Sequence, residues 1–241
     1  MSDLHAAWLG RVPYAEALRL QEACVAARRA GASPDTLVLL EHPPVITLGR
    51  SADRAHVLDA ADALARRGIE VHECGRGGDV TYHGPGQLVG YPIVQLAPER
   101  RDVHRYLRDL EQALIDAAAE LGVAAYRAAG LTGVWVGNEK LAAIGVRLST
   151  GRVTSHGFAL NVSADLAGFS SIVPCGIRGR GVTSLARLTG RDLPLDAAAR
   201  LLAGHVARVL GFGSRPVVDW TASDTEERAW RLPQARGART G

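Results

Sequence analysis

The 241-residue sequence is poor in several things at once. It has three cysteines, Cys24, Cys74 and Cys175, an odd number with no CxxC spacing. That argues against a disulfide framework and against a structural zinc site, and it fits a reducing compartment. Aromatic residues are only 5% of the chain. The arginines are scattered and few aromatics interleave with them, so no nucleic-acid surface is indicated. No apolar run approaches the ~18 residues needed to span a bilayer. The start, Met1-Ser2-Asp3-Leu4-His5, has no basic segment followed by an apolar one, so no signal peptide is expected and a cytoplasmic location is. There is no GxGxxG, GxxxxGK[ST] or HExxH, and no compact ligand cluster, so neither a nucleotide bound in those modes nor a metal is expected. Lysine is nearly absent: of 28 basic residues one is lysine, Lys140, and the rest are arginine. Arginine stays protonated at any physiological pH, whereas lysine can lose its proton. A single lysine among so many arginines is either biased usage or a position that needs a cation able to deprotonate.

What is present is a globular composition. Apolar residues are 47%, charged residues 22%, and the net charge is +3. Glycine, at 27 residues, exceeds the usual ~7% and signals tight turns and close backbone approaches. There are no internal repeats. Residues 1–220 read as one domain, and residues 221–241 as a flexible tail. Helical spacing covers Pro13–Ala30, Ala60–Arg67, Val103–Leu121 and Leu195–Leu210, each followed by a glycine, with Pro13 suited to the first turn of the first. Strand patterns cover Thr36–Glu41, Val45–Leu48, Ile69–Cys74, Gln87–Gln95 and Val153–Val162. Val134–Val136 and Leu141–Leu148 flank Gly137-Asn138-Glu139-Lys140 as a hairpin. The expected fold class is α/β of the α+β type: a mixed, largely antiparallel sheet flanked by helices.

Four segments carry chemistry. Gly75-Arg76-Gly77-Gly78-Asp79-Val80-Thr81-Tyr82-His83-Gly84-Pro85-Gly86-Gln87 sets functional side chains among five glycines, straight after a strand. It reads as a ligand-binding loop or as a tight structural turn. Pro174-Cys175-Gly176-Ile177 puts a cysteine between two turn formers, where its sulfur is either reachable or buried and inert. Cys24, inside a helical pattern, reads as core, and Cys74 as core or as support for the loop. A nearby ammonium such as Lys140 would favour the Cys175 thiolate, and a partly desolvated lysine can act as a base. Nothing in the spacing brings the two together. Finally, Ser155-His156-Gly157-Phe158-Ala159-Leu160-Asn161 has a His-Gly step inside an apolar strand, which reads as substrate contact or as a satisfied core imidazole. His42 reads as a turn residue before Pro43. His5, His56, His72, His104 and His205 read as surface or satisfied positions.

Taken in order, these segments, with Glu41-His42-Pro43-Pro44-Val45-Ile46-Thr47-Leu48-Gly49-Arg50 and Val134-Trp135-Val136-Gly137-Asn138-Glu139-Lys140-Leu141-Ala142-Ala143-Ile144-Gly145-Val146-Arg147, resemble the lipoyl(octanoyl) transferase family over residues 1 to about 215. Phe158 stands where leucine is common. The resemblance implies the biotin/lipoate-protein ligase fold. It implies transfer of an octanoyl group from octanoyl-acyl carrier protein to a lysine of apo-lipoyl domains, those of 2-oxoacid dehydrogenase complexes and the glycine cleavage H protein. The nucleophile it implies is Cys175, which carries the acyl group as a thioester, with Lys140 as its partner. Substrate contacts fall on Arg76, Gly77, Gly78, Asp79, Val80, Thr81, Tyr82 and His83, on Ala143, Ile144 and Gly145, and on His156, Gly157 and Phe158. No cofactor is implied beyond the phosphopantetheine of the carrier. The competing readings are an ATP-dependent lipoate-protein ligase of the same fold, a non-catalytic module binding acyl groups or lipoyl domains, and, weakest, a nucleic-acid binder.

Overall fold

The structure is a computed structural model that describes residues 2–97, 102–149, 151–174 and 179–221. The elements run β1 (Asp3–Arg11), α1 (Tyr14–Arg29), β2 (Thr36–Glu41), β3 (Val45–Leu48), α2 (Ala61–Arg66), β4 (Glu70–Glu73), β5 (Val80–His83), β6 (Gln87–Ile93), α3 (Val103–Glu120), β7 (Val134–Val136), β8 (Glu139–Leu148), β9 (Thr154–Asn161), β10 (Gly181–Val182), α4 (Leu185–Thr189), α5 (Leu195–Leu210), β11 (Gly213–Ser214) and β12 (Val218–Asp219). Among the described residues the large sheet has the order β10-β8-β9-β6-β2-β1-β11, with β7 beside β8 and β12 beside β1. A smaller sheet has the order β4-β3-β5.

The long ladders β2–β6, β6–β9 and β8–β9 are antiparallel. Parallel pairing enters where the chain crosses over, at β1–β2, β3–β4 and β8–β10. Strand period two sorts the core. Leu4, Ala6, Trp8, Leu37, Leu39 and Leu88 face α3 and α5. Ala7, Leu9, Val38, Leu40, Val89 and Tyr91 face the other way, toward α1. The sheet is thus apolar on both faces, which is why β2 reads as an unbroken hydrophobic run rather than an alternation. A third cluster, with Ile46, Leu48, Val80, Tyr82 and Phe169, fills the space behind the small sheet.

Most expected elements appear within one or two residues of their sequence bounds. The hairpin differs: Val136 pairs with Glu139, so the turn is Gly137-Asn138 alone, and Glu139 and Lys140 belong to β8. β1 carries no strong period-two signal because both its faces are buried, and the sequence reading missed it. β5 lies inside the segment that the sequence marks as a glycine-rich loop, because its four residues follow a glycine run. Residues 222–241, most of the expected tail, lie outside the described residues.

Candidate active site

A cleft lies on the α1 side of the large sheet and holds about 510 Å³ of empty space, part of it open to solvent. Its floor is made by β8 and β9. Strand pairing puts Ala143 opposite Ala159 and Gly145 opposite Gly157, so four of the smallest residues form one patch facing the cleft. One wall is the glycine-rich loop and β5, with Arg76, Gly77, Gly78, Asp79, Val80, Thr81 and His83. Val89 and Tyr91 of β6 and Tyr14 of α1 close the rest.

Glycine is required on the floor, at Gly145 where the loop lands and at Gly157 where β9 lies against β6. A Cβ on Gly145 would come within 2.9 Å of the Gly77 carbonyl oxygen, and one on Gly157 within 2.1 Å of the Gly90 carbonyl oxygen. The loop is tied down by Gly77 N–H donating to the Val146 carbonyl at 2.9 Å.

The polar groups of the cleft are mostly engaged behind it. Arg76 is buried, and its guanidinium donates to the Thr47 carbonyl at 2.6 Å, the Thr47 hydroxyl at 2.9 Å and the Gly77 carbonyl at 3.1 Å. All these acceptors are neutral oxygens, so the arginine braces β3 against the loop while keeping its charge at the cleft. Asp79 pairs with His56 Nδ1 at 2.6 Å and accepts the Asp53 N–H at 3.1 Å. His83 Nδ1 lies 2.7 Å from Gln87 Oε1. Burial, with His42 nearby, pushes the His83 imidazole down to about 3. His156 has a φ of 56°, in the left-handed region that a residue with a Cβ adopts at a cost. Its N–H leaves the strand ladder to donate to Gln21 Oε1 at 2.7 Å, and burial followed by Arg76 and Arg147 pushes its imidazole down to about 4. His42, expected in a turn, is instead fully buried. It bridges the Val12 carbonyl and the Tyr91 hydroxyl, both at 2.7 Å, and burial pushes it to about 4.

Of the expected contact residues one turns away and one lines the cleft only in part. Tyr82 alternates with Thr81 and His83 on β5, so its ring points behind the small sheet, edge-on to Phe169 at 5.3 Å. Phe158 borders the cleft, but strand alternation sends its ring to the α3 and α5 side, over Gly90; a Cβ there would lie 2.1 Å from the ring. The others, Arg76 to Thr81, His83, Ala143, Ile144, Gly145, His156 and Gly157, line one space.

Lys140 is buried, with Nζ 4.8 Å from the centre of the Trp135 ring, and it does not line this cleft. It sits three residues before Ala143 on β8, roughly 10 Å along a strand. Its carbonyl accepts the Thr183 N–H at 3.0 Å. Cys175, with residues 176–178, lies outside the described residues. On the near side, Val173 N–H donates to the His56 carbonyl at 2.8 Å, and His56 binds Asp79 of the cleft. On the far side, Asn138 Nδ2 donates to the Gly179 carbonyl at 3.0 Å, two residues before Lys140. Cys24 is buried in the core under α1, and the half-buried Cys74 thiol donates to the Leu48 carbonyl at 3.3 Å.

Sequence reasoning missed Tyr14, Val89, Tyr91 and Ala159. The signal for Tyr91 was its place between Gly90 and Pro92 in a strand, two residues that mark a close approach. Val89 and Ala159 are recognisable only once the β6–β9 register is known.

The profile of the lipoyl protein ligase A/B catalytic domain matches residues 13–207. An octanoyltransferase of Rubrobacter xylanophilus is 54% identical over 203 residues, covering 84% of this chain and 91% of that one. Among solved structures, lipoate-protein ligase A bound with ATP superposes with a TM-score of 0.69 at 17% identity, covering 99% of this chain and 96% of that one. A bipartite lipoate protein ligase of Thermoplasma acidophilum, studied with its E2 lipoyl domain, gives 0.68 at 17% identity, covering 98% and 93%.

Proposed function

Since this chain belongs to the lipoyl protein ligase A/B catalytic-domain family, we propose that it is an octanoyltransferase that moves an octanoyl group onto lipoyl domains in protein lipoylation. The observation that carries the reading is half-identity to octanoyltransferases over more than four-fifths of the chain. The ATP-dependent ligase shares the fold at 17% identity, and fold alone does not carry an activity.

The geometry supports an acyl group lying on the Ala143, Gly145, Gly157 and Ala159 patch, where missing side chains leave room for a tail. At ~0.8 kcal/mol per buried methylene, an eight-carbon tail contributes roughly 5 kcal/mol, enough to reject much shorter acids. The donor is octanoyl-acyl carrier protein. Cys175 thiolate attacks its thioester, exchanging one thioester for another at little net cost, and a lysine amine of the lipoyl domain then takes the acyl group as an amide. Lys140 steadies the thiolate and handles the amine's proton. What supports this pairing is that the described flanks of Cys175 are bonded to His56 on the cleft side and to the Lys140 hairpin on the other. The reaction needs no cofactor beyond the carrier's phosphopantetheine. The acceptors are lipoyl domains of 2-oxoacid dehydrogenases and the H protein, and the setting is the cytoplasm. Among the described residues no helix is long and apolar enough to cross a membrane.

The test is intact mass spectrometry after mixing the chain with octanoyl-acyl carrier protein and an apo-lipoyl domain, without ATP. The domain should gain one octanoyl group, and the enzyme alone should gain a thioester that Cys175→Ala cannot form. No gain on the domain would refute the function. Full activity of Cys175→Ala would refute the covalent route and leave transfer intact.

A further inference from the structure

Behind the cleft, a chain of hydrogen bonds runs in a fixed direction. Its last acceptor is the Thr183 carbonyl, which can only accept. Asn161 Nδ2 donates to it at 2.9 Å, so Asn161 Oδ1 points the other way. That oxygen takes the Gln87 Nε2 proton at 2.9 Å, and Gln87 Nε2 also reaches the Tyr82 carbonyl at 3.3 Å. Gln87 Oε1 is left as an acceptor 2.7 Å from His83 Nδ1. An amide oxygen cannot donate, so the imidazole proton must sit on Nδ1, and Nε2 keeps its lone pair. Gln87, Asn161 and Thr183 are buried at 3% exposure or less, which removes water as a substitute partner. His83 lines the cleft, and no hydrogen bond from a described residue reaches its Nε2. The Thr183 N–H, in turn, donates to the Lys140 carbonyl, so one network joins the cleft imidazole to the strand that carries the lysine.

We infer that Gln87 and Asn161 are positioning residues that fix the tautomer of His83, so that its Nε2 accepts a hydrogen bond from the attacking lysine amine of the acceptor domain. The inference rests on the octanoyltransferase reading. The choice of partner follows from chemistry. A thioester offers only acceptors at its reacting atoms, and a lone pair aimed at its carbonyl oxygen would repel the charge that develops there. The amine is the one donor that comes to the reacting carbon. Burial keeps the imidazole neutral at physiological pH, so it orients the amine rather than taking its proton. In the step itself the neutral amine's lone pair forms the C–N bond. The C–S pair leaves on sulfur, and the amine's extra proton ends on that sulfur. Nε2 neither gains nor loses a proton.

The experiment uses the full chain with octanoyl-acyl carrier protein and apo-lipoyl domain, and it times the two half-reactions separately by mass. Near-isosteric Gln87→Met and Asn161→Leu should slow acyl transfer from the loaded enzyme about 10-fold or more, and slow loading much less. Equal slowing of both steps, or of neither, would overturn the inference. Should either variant fail to fold, nitrogen-15 spectra of the unsubstituted chain decide, with the His83 signals identified by their loss in His83→Gln: Nδ1–H supports the inference and Nε2–H overturns it. An unsubstituted chain that transfers nothing would sink the octanoyltransferase reading instead.

Discussion

Lys140→Arg keeps a cation and removes the ability to cycle a proton. On the proposed acid–base role, this substitution is expected to slow octanoyl transfer on the order of 10²-fold. Turnover near that of the unsubstituted chain, in a steady-state assay, would leave the lysine an electrostatic role only. Ala159→Leu puts three more carbons on the floor of the cleft, opposite Ala143. Octanoyl transfer should fall at least tenfold while butanoyl transfer survives, since each displaced methylene forfeits ~0.8 kcal/mol. An unchanged preference across a series of acyl-carrier substrates would move the tail off this patch. At this scale the sequence was informative where glycines crowd around functional side chains: most of the loop around Arg76 lines the cleft. The sequence did not show that the Tyr82 ring turns behind the small sheet, or that Phe158 borders the cleft with its ring on the far side. The motif supplied the residues, but strand alternation decided which side chains reach the cleft.

The glycine-rich loop and β8 meet with almost no tolerance. Gly145→Ala would put a methyl 2.9 Å from the Gly77 carbonyl oxygen and strain the Gly77 N–H bond to Val146. Overpacking of this kind costs about 1–3 kcal/mol, so Tm is expected to fall by roughly 2–10 °C, with octanoyl transfer falling further as the cleft floor shifts. A Tm within a degree of the original, by calorimetry, would mean that the loop is freer than its contacts imply. Elements with a clear period or clear stops, such as α1, α5, β2 and β3, were legible in the sequence. Elements whose character comes from neighbours were not. β1 is buried on both faces, and the two-residue β10 exists as a strand only because Gly181 and Val182 pair with Glu139 and Lys140.

Three buried imidazoles make the whole molecule sensitive to acid. His42, His83 and His156 sit at about 4, 3 and 4 when folded, against an ordinary 6.5 when unfolded. Between those values the unfolded chain binds protons that the folded chain refuses, so stability falls as pH drops below about 6.5. Each histidine contributes at most about 1.4 kcal/mol per pH unit. A thermal-unfolding series from pH 8 to pH 4.5 should show Tm declining from near pH 6.5, before carboxylates titrate. A flat profile from pH 7 to pH 5 would contradict the burial of these rings.

Periodicity, stop residues and the ordered motifs determined the mixed α/β class, most of the helices and strands, and the segments from which the cleft is built, because those properties depend on neighbours a few residues apart. Only the tertiary structure decided that His42 is buried and bonded to Tyr91, that Tyr14 joins the cleft, and that Gln87 and Asn161 stand behind His83. Each of these depends on register and on partners far away in the chain, 74 residues apart for Gln87 and Asn161, and a side chain's hydrogen-bond direction is fixed only when the last acceptor in its network is known.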